Sequence, residues 1–324
     1  MINVAVVGAT GVVGETILQV LEERSVPVGA LGRFASRARN GVEAVSAERL
    51  RDFDVVFFAS GEDSSESYAP ALLERGAFVI DNSSTFRTRA GVPLVIPEVN
   101  PDHVRAEHRL FPVANCTAII LCVAMAPVLR CAGLRAIRVA TYQAASGAGR
   151  AGLEELLAGE RALALDQAEP DPAVFPQALA RNVVPQVGSF DDSGYSGEER
   201  KVAEEARKML SLPDLFVSAT TVRVPVRTAH SEAVWFETER DTSVEELTVA
   251  FESAPGLVFH RSGIVTPREV EGTDAVHVAR LRRESETSKR HFVLWCVGDQ
   301  LRKGAATNGV QILELLLQRG FVGR

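Results

Sequence analysis

Phe111-Pro-Val-Ala-Asn115-Cys116-Thr117 runs into an apolar stretch of helical period, 118–129, so the spacing places Cys116 at the start of a helix. A thiol attacks a carbonyl carbon only as thiolate, which a helix N-terminus favours through its dipole and free backbone donors. That position suits a covalent thioester, with donors around Asn115 and Cys116 for an oxyanion. Cys122 and Cys131, along or past the same helix, and Cys296, in the apolar run 292–297, read as small buried hydrophobes. A strand over 134–142 leads into Gln143-Ala-Ala-Ser146-Gly147-Ala-Gly149, a polar glycine turn able to hold Gln143 at a site. In 221–236, Val222, Val224 and Val226 alternate with Arg223 and Arg227, which predicts a strand with Arg223 turned away from its apolar side. A fixed guanidinium there suits a substrate carboxylate, and His230 nearby suits proton transfer. Glu205 and Lys208 stand three apart in a helical run, so both project to one helix face, as two substrate contacts or as an ordinary ion pair. The histidines at 103, 108, 260, 277 and 291 share no ligand spacing, and no metal site is expected.

These residues need elements to hold them, and the N-terminal sequence supplies a frame with a site of its own. An apolar run over 2–7, as a parallel strand covered on both faces requires, ends in Gly8-Ala-Thr10-Gly11-Val12-Val13-Gly14 before a helix over 15–24. In that order the glycines permit a tight turn and close approach of a pyrophosphate to the helix N-terminus. Strand 54–59, helix 64–75 and strand 77–80 continue the alternation, which predicts a doubly wound α/β Rossmann fold with a mostly parallel sheet. After a second strand near 28–32 come Arg33, Ser36, Arg37 and Arg39, with no acid before Glu43. A ribose 2′-phosphate calls for Arg where NAD calls for an acid, so the cofactor expected is NADP. A final helix from about 303, apolar at Ile312, Leu313, Leu315, Leu316 and Leu317, rejoins this half. The expected division is therefore 1–115 with 303–324 for the nucleotide and 116–302 for catalysis.

The 324 residues carry 35 Lys+Arg against 42 Asp+Glu, a net charge of −7, with 46% hydrophobic residues. At about 150 residues per domain the length suggests two domains whose cores need no staple. Four cysteines without CxxC spacing suggest a reducing, cytoplasmic setting. An acidic balance without a basic, aromatic-laced stripe argues against a nucleic-acid partner. No apolar run nears the ~20 residues of a membrane span, and no basic n-region marks a signal peptide.

Seven motifs in order, VAVVGATGVVG (4–14), DNSSTFR (81–87), VPLVIPEVN (92–100), NCT (115–117), TYQAASGAG (141–149), VRVPVRTAHSE (222–232) and GDQLRKGAATNGVQI (298–312), resemble the aspartate-semialdehyde dehydrogenase family over nearly the whole chain. The resemblance implies a Rossmann domain rejoined by the C-terminal helix, and an α+β catalytic domain that forms the interface of a homodimer or dimer of dimers. It implies that Cys116 attacks the carbonyl carbon, that His230 takes and returns a proton, and that Gln143 positions the intermediate. Arg223 would hold the substrate carboxylate, Glu205 its ammonium, and Arg87 and Lys208 the phosphate, with Asn115 a further contact. NADP would meet Gly8, Thr10, Gly11, Val12, Val13, Ser36, Arg37, Arg39, Ser146, Gly147 and Asn308. The implied reaction reduces L-aspartyl-4-phosphate to L-aspartate 4-semialdehyde through a thioester and a thiohemiacetal on Cys116, on the way to lysine, methionine and threonine.

Three positions depart from the family's pattern: Ala114 stands where Pro is usual, Ala206 replaces a common Thr, and Ala279 begins Ala-Arg-Leu-Arg-Arg-Glu where Gly-Arg-Ile-Arg-x-Asp is frequent. None removes a named functional group. Two other readings share the motifs. An N-acetyl-glutamyl-phosphate or malonyl-CoA type reductase would share Cys116, but its substrate brings no ammonium for Glu205. A catalytically silent nucleotide-binding paralogue would have no need of Cys116, Gln143, Arg223 and His230.

Overall fold

The first strand, β1 (Ile2–Val7), is buried at five of its six positions, as a central parallel strand must be. It ends at Gly8, whose φ of +88° and whose closeness to Ala59, 2.5 Å from a would-be Cβ to the Ala59 oxygen, admit only glycine. Helix α1 (Val12–Glu23) starts three residues before the patterned helix, because Val12 and Val13, placed in the glycine turn by the sequence, already wind into helix past Gly11. A computed structural model describes residues 1–323. There follow β2 (Val28–Ala35), β3 (Glu43–Ala44), α2 (Ala47–Leu50), β4 (Val55–Phe58), α3 (Glu62–Glu74), β5 (Phe78–Asp81) and β6 (Leu110–Pro112). All six strands are parallel in the order β3-β2-β1-β4-β5-β6, the doubly wound arrangement. The C-terminal helix Thr307–Gln318 buries Ile312, Leu313 and Leu316 in this unit and pairs its Glu314 bidentately with Arg24 just past α1. It starts later than the apolar pattern suggested, after a wider π-helical turn over Arg302–Ala306.

Contacts divide the chain into two units, Met1–Asn115 with Gly304–Arg324, and Cys116–Lys303. The second unit comprises α4 (Cys116–Ala132), β7 (Ala136–Gln143), α5 (Gly149–Ala164), α6 (Gly197–Leu210), β8 (Phe216–Arg223), β9 (His230–Glu237), α7 (Val244–Glu252), β10 (Leu257–His260), α8 (Pro267–Val270), β11 (Val276–Arg283) and β12 (His291–Gly298). Its mixed sheet runs β10-β11-β12-β9-β7-β8, parallel within β7/β8 and β10/β11 and antiparallel elsewhere. Helix α4 is buried throughout 117–128 and packs with α6 and α7, so it reads as apolar on every side. The sheet face toward these helices carries Thr141, Gln143, Glu232 and Val234. The opposite face leaves Tyr142, Phe216 and Trp235 exposed. The architecture is thus the Rossmann sheet plus an α+β unit that the sequence predicted.

Candidate active site

Strand register brings the second unit's polar residues to one end of its sheet. Gln143 and Arg223 are partners at the C-terminal ends of the parallel pair β7 and β8. His230 opens β9, whose next residue, Ser231, pairs with Tyr142. Helix α4 starts with Cys116 itself, a half-buried thiol outside any disulfide, and its next residue ties it to the sheet: Gln143 Nε2 donates to Thr117 Oγ1 at 2.9 Å. The charge of Cys116 acts on Arg223, so the sulfur and the guanidinium share one environment.

Arg223 corrects the alternation read from the sequence. Strand β8 stops at Arg223, because Pro225 cannot donate to a ladder and the chain leaves the sheet. Within the strand Val217, Ala219, Thr221 and Arg223 share the buried face, so the arginine points toward the helices rather than away from the apolar side. Its Nη1 donates to the Ala144 carbonyl at 2.8 Å, and its guanidinium lies 5.7 Å from the Phe175 ring centroid. Arg227, expected on the same face, is exposed in the connecting loop.

His230 is fully buried, and its Nδ1 accepts the Ala144 backbone N–H at 3.0 Å. A neutral ring held that way carries its hydrogen on Nε2, a buried atom with no protein partner. Burial first, and the charge of Arg223 second, push the imidazole well below its ordinary range. Gly147 lies against both groups: a Cβ there would stand 2.7 Å from Arg223 Nη1 and 3.2 Å from His230 Nε2.

Helix α6 presents Glu205 and Lys208 as the spacing predicted, Glu205 buried and Lys208 half-buried. Burial lowers Lys208 from the ordinary lysine range, opposed by the charge of Glu205. Lys208 opens onto a cavity of about 460 Å³ beside Arg207 and Pro213. The start of α6 is fixed by a capping box, Ser196 with Glu199, whose Glu199 Oε1 also accepts Thr221 N–H at 2.9 Å. Ser146 spends its hydroxyl hydrogen on Arg227 O and accepts from Gln300 Nε2, while Gln300 Oε1 accepts Ala229 N–H. The Ser146 hydroxyl therefore clasps two loops. Gln300, Thr117 and Glu198, the last 3.0 Å from Gln143 Nε2, escaped the sequence reading, because their partners lie 26 to 154 residues away.

The remaining candidates belong to the first unit. Gly8, Thr10, Gly11 and Ser36 line one cavity of about 510 Å³, with Asp63 and Tyr68 of α3. Gly14 could not carry a side chain, since a Cβ would sit 2.1 Å from Gly8 O, whereas at Gly11 the nearest atom is 3.4 Å away. No side chain caps α1, so the N–H groups around Val12 and Val13 keep their directions toward the turn. Both features fit a bound pyrophosphate. Ser36 is the first residue past β2, Arg37 and Arg39 are exposed just beyond it, and Glu43 is engaged bidentately by Arg49. Arg87 donates to Asn82 O, Asn115 is buried, and Asn308 donates from the C-terminal helix to Val95 O. Among the described residues, no three His, Cys, Asp or Glu side chains are placed to hold a metal ion, and no helix is long and apolar enough to cross a membrane.

A Rossmann sheet followed by an α+β unit with a cysteine at a helix start defines a class, the semialdehyde dehydrogenases: the family models for their NAD-binding domain and dimerisation domain match residues 3–107 and 125–303. Aspartate-semialdehyde dehydrogenase from Aquifex aeolicus is 39% identical over 99% of this chain and 99% of its own, and aspartate-semialdehyde dehydrogenase 2 from Vibrio cholerae 40% identical over 98% of each. A crystal structure of aspartate semialdehyde dehydrogenase II from Vibrio cholerae complexed with ASA superposes with a TM-score of 0.93 at 38% identity, covering 98% of both chains. The chain belongs to the aspartate-semialdehyde dehydrogenase family, a family of oxidoreductases.

Proposed function

We propose that this protein is an NADP-dependent, phosphorylating aspartate-semialdehyde dehydrogenase that reduces L-aspartyl-4-phosphate to L-aspartate 4-semialdehyde, in the route to lysine, methionine and threonine. The observation that carries the reading is the gathering of Gln143, Arg223 and His230 at the sheet end where Thr117 ties in the cysteine-bearing helix start. In the reductive direction the Cys116 thiolate attacks the acyl carbon; the carbon–sulfur bond forms, the bond to the phosphate oxygen breaks, and its electron pair leaves with phosphate. NADPH, when bound, would supply the hydride that reduces the thioester held on Cys116. The resulting oxyanion re-forms its C=O bond and returns the carbon–sulfur pair to Cys116 as thiolate.

His230 serves that oxyanion as a donor from Nε2. Taking a proton, the part the family resemblance implies, would require an Nδ1–H set against the Ala144 N–H that Nδ1 now accepts. Gln143 positions the intermediate, Arg223 takes the substrate carboxylate, and Glu205 takes the ammonium, so charge at three points orients one small molecule. Asn115, with Arg87 and Lys208, serves substrate and phosphate. The dinucleotide lies along Gly8, Thr10, Gly11, Val12, Val13 and Ser36, with Arg37 and Arg39 for a 2′-phosphate and Ser146, Gly147 and Asn308 completing its contacts. The nucleotide and catalytic roles fall to the first and second units. The exposed sheet face with Tyr142, Phe216 and Trp235 supports a homodimer, and four free cysteines support a cytoplasmic location.

The test is NADPH formation from L-aspartate semialdehyde, NADP and phosphate, beside Cys116→Ala and a no-phosphate control. Turnover that needs both the thiol and phosphate is the expected result. A folded, NADP-binding but silent protein refutes the reading, and turnover of acetylated or CoA substrates instead assigns it to a related acyl reductase.

A further inference from the structure

Gln143 has two amide hydrogens, and both are engaged: one by Thr117 Oγ1 at 2.9 Å, the other by Glu198 Oε1 at 3.0 Å. Its Oε1 accepts from Thr141 Oγ1 at 3.3 Å. A substrate oxygen that accepts from Gln143 must therefore replace one of the two acceptors. Thr117 is fully buried in the first turn of α4 and cannot leave without moving the helix that carries Cys116. Glu198 is half-buried in the first turn of α6, where the neighbouring capping box and the Glu199 to Thr221 contact fix the backbone without using the Glu198 carboxylate, so a shift of that side chain moves no helix. The Glu198 carboxylate also acts on Arg223, the register partner of Gln143, so one carboxylate addresses both residues. A substrate bearing its own carboxylate needs the same two partners.

We propose that Glu198 is a positioning residue that holds the Gln143 amide and faces the Arg223 guanidinium until a substrate carboxylate and reacting oxygen displace it. This rests on the reading of the site as that of an aspartate-semialdehyde dehydrogenase. Glu198 then competes with the ground state of the substrate, and removing its charge strengthens substrate binding rather than weakening it. A ligand with an anionic group such as a carboxylate can exchange for Glu198 at Arg223 where a neutral one cannot, which adds charge selection to the site.

The experiment compares wild type with Glu198→Gln under steady-state turnover of L-aspartate semialdehyde, and Cys116→Ala with Cys116→Ala/Glu198→Gln by calorimetric binding of the same compound. Loss of a competing charge-assisted acceptor lowers KM by about three- to tenfold and tightens the calorimetric Kd by a similar factor. A structural defect at the start of α6 would raise KM or lower kcat instead, so an unchanged or raised KM in an active enzyme overturns the proposal. Glu198→Asp, which keeps the charge but withdraws it by one methylene, gives a second measure: KM falls, by less than in the Gln variant, and an unmoved KM there counts against the proposal even if Glu198→Gln does not fold. Wild-type silence toward L-aspartate semialdehyde overturns the functional reading and this inference together, whereas an active wild type with unmoved Glu198 variants overturns the inference alone.

Discussion

Glu232 offers the sharpest test of the energetics. It stands two residues from His230 on the helix-facing side of β9, fully buried, with Oε2 3.5 Å from Cys296 Sγ and Oε1 without a partner. Among the described residues no cation is placed to compensate it, and burial raises its carboxyl from 4.5 to about 8. The same burial, with the Glu232 charge, pushes the Cys122 and Cys296 thiols well up, so all three groups stay neutral near pH 7. Between pH 4.5 and 8 the folded chain holds the Glu232 proton and the unfolded chain has lost it, so stability is fullest below 4.5 and declines as pH rises toward 8. At about 1.4 kcal/mol per pH unit, the decline totals about 5 kcal/mol over that range. Glu232→Gln removes the titration and keeps the shape. Both tryptophans, Trp235 on β9 and Trp295 on β12, lie in the sheet that carries Glu232, so their fluorescence during urea unfolding reports that unit. Near pH 5 the two proteins should differ by about 1 kcal/mol or less; near pH 8 the Gln variant should be more stable by about 4 kcal/mol. A stability difference that stays constant from pH 5 to 8 would refute the buried, uncompensated carboxyl.

Three further outcomes follow from the geometry. Gly147→Ala drives a methyl to 2.7 Å from Arg223 Nη1 and 3.2 Å from His230 Nε2, and should cut kcat/KM by about tenfold to a hundredfold with the urea midpoint unchanged. Arg37→Ala/Arg39→Ala should raise the KM for NADP at least about tenfold while leaving that for NAD nearly unmoved; parallel changes for both would refute their selective role. Trp235→Glu, which places a charge on the open sheet face, should shift the sedimenting species to monomer, and an unchanged dimer would assign the interface elsewhere.

The fold was legible because hydrophobic period and glycine placement are local properties: the run ending at Gly8 dictates a buried strand and a turn, and the first-unit sheet follows from repeating that alternation. The ends of elements were less legible. Val12 and Val13 read as part of the glycine turn although the backbone past Gly11 already winds them into helix, and the valines at 222, 224 and 226 mimic one long strand although Pro225 takes the chain out of the sheet. That misreading put Arg223 on the wrong face. Residue types named a candidate chemistry, but what each group can do depends on partners far along the chain. His230 became a donor at Nε2 because Ala144, 86 residues earlier, places its N–H on Nδ1. Gln143 has no amide hydrogen to spare because Thr117 and Glu198 converge on it from two different helices. Ser196-Gly-Glu-Glu199 is legible as a capping box, yet nothing local says that its middle carboxylate faces the site: the box fixes the α6 backbone, and β8 fixes the box through Thr221. A motif thus sets which atoms are available, while strand register and helix starts set their hydrogen-bond occupancy, and it is the occupancy that decides whether a group accepts, donates or must first be displaced.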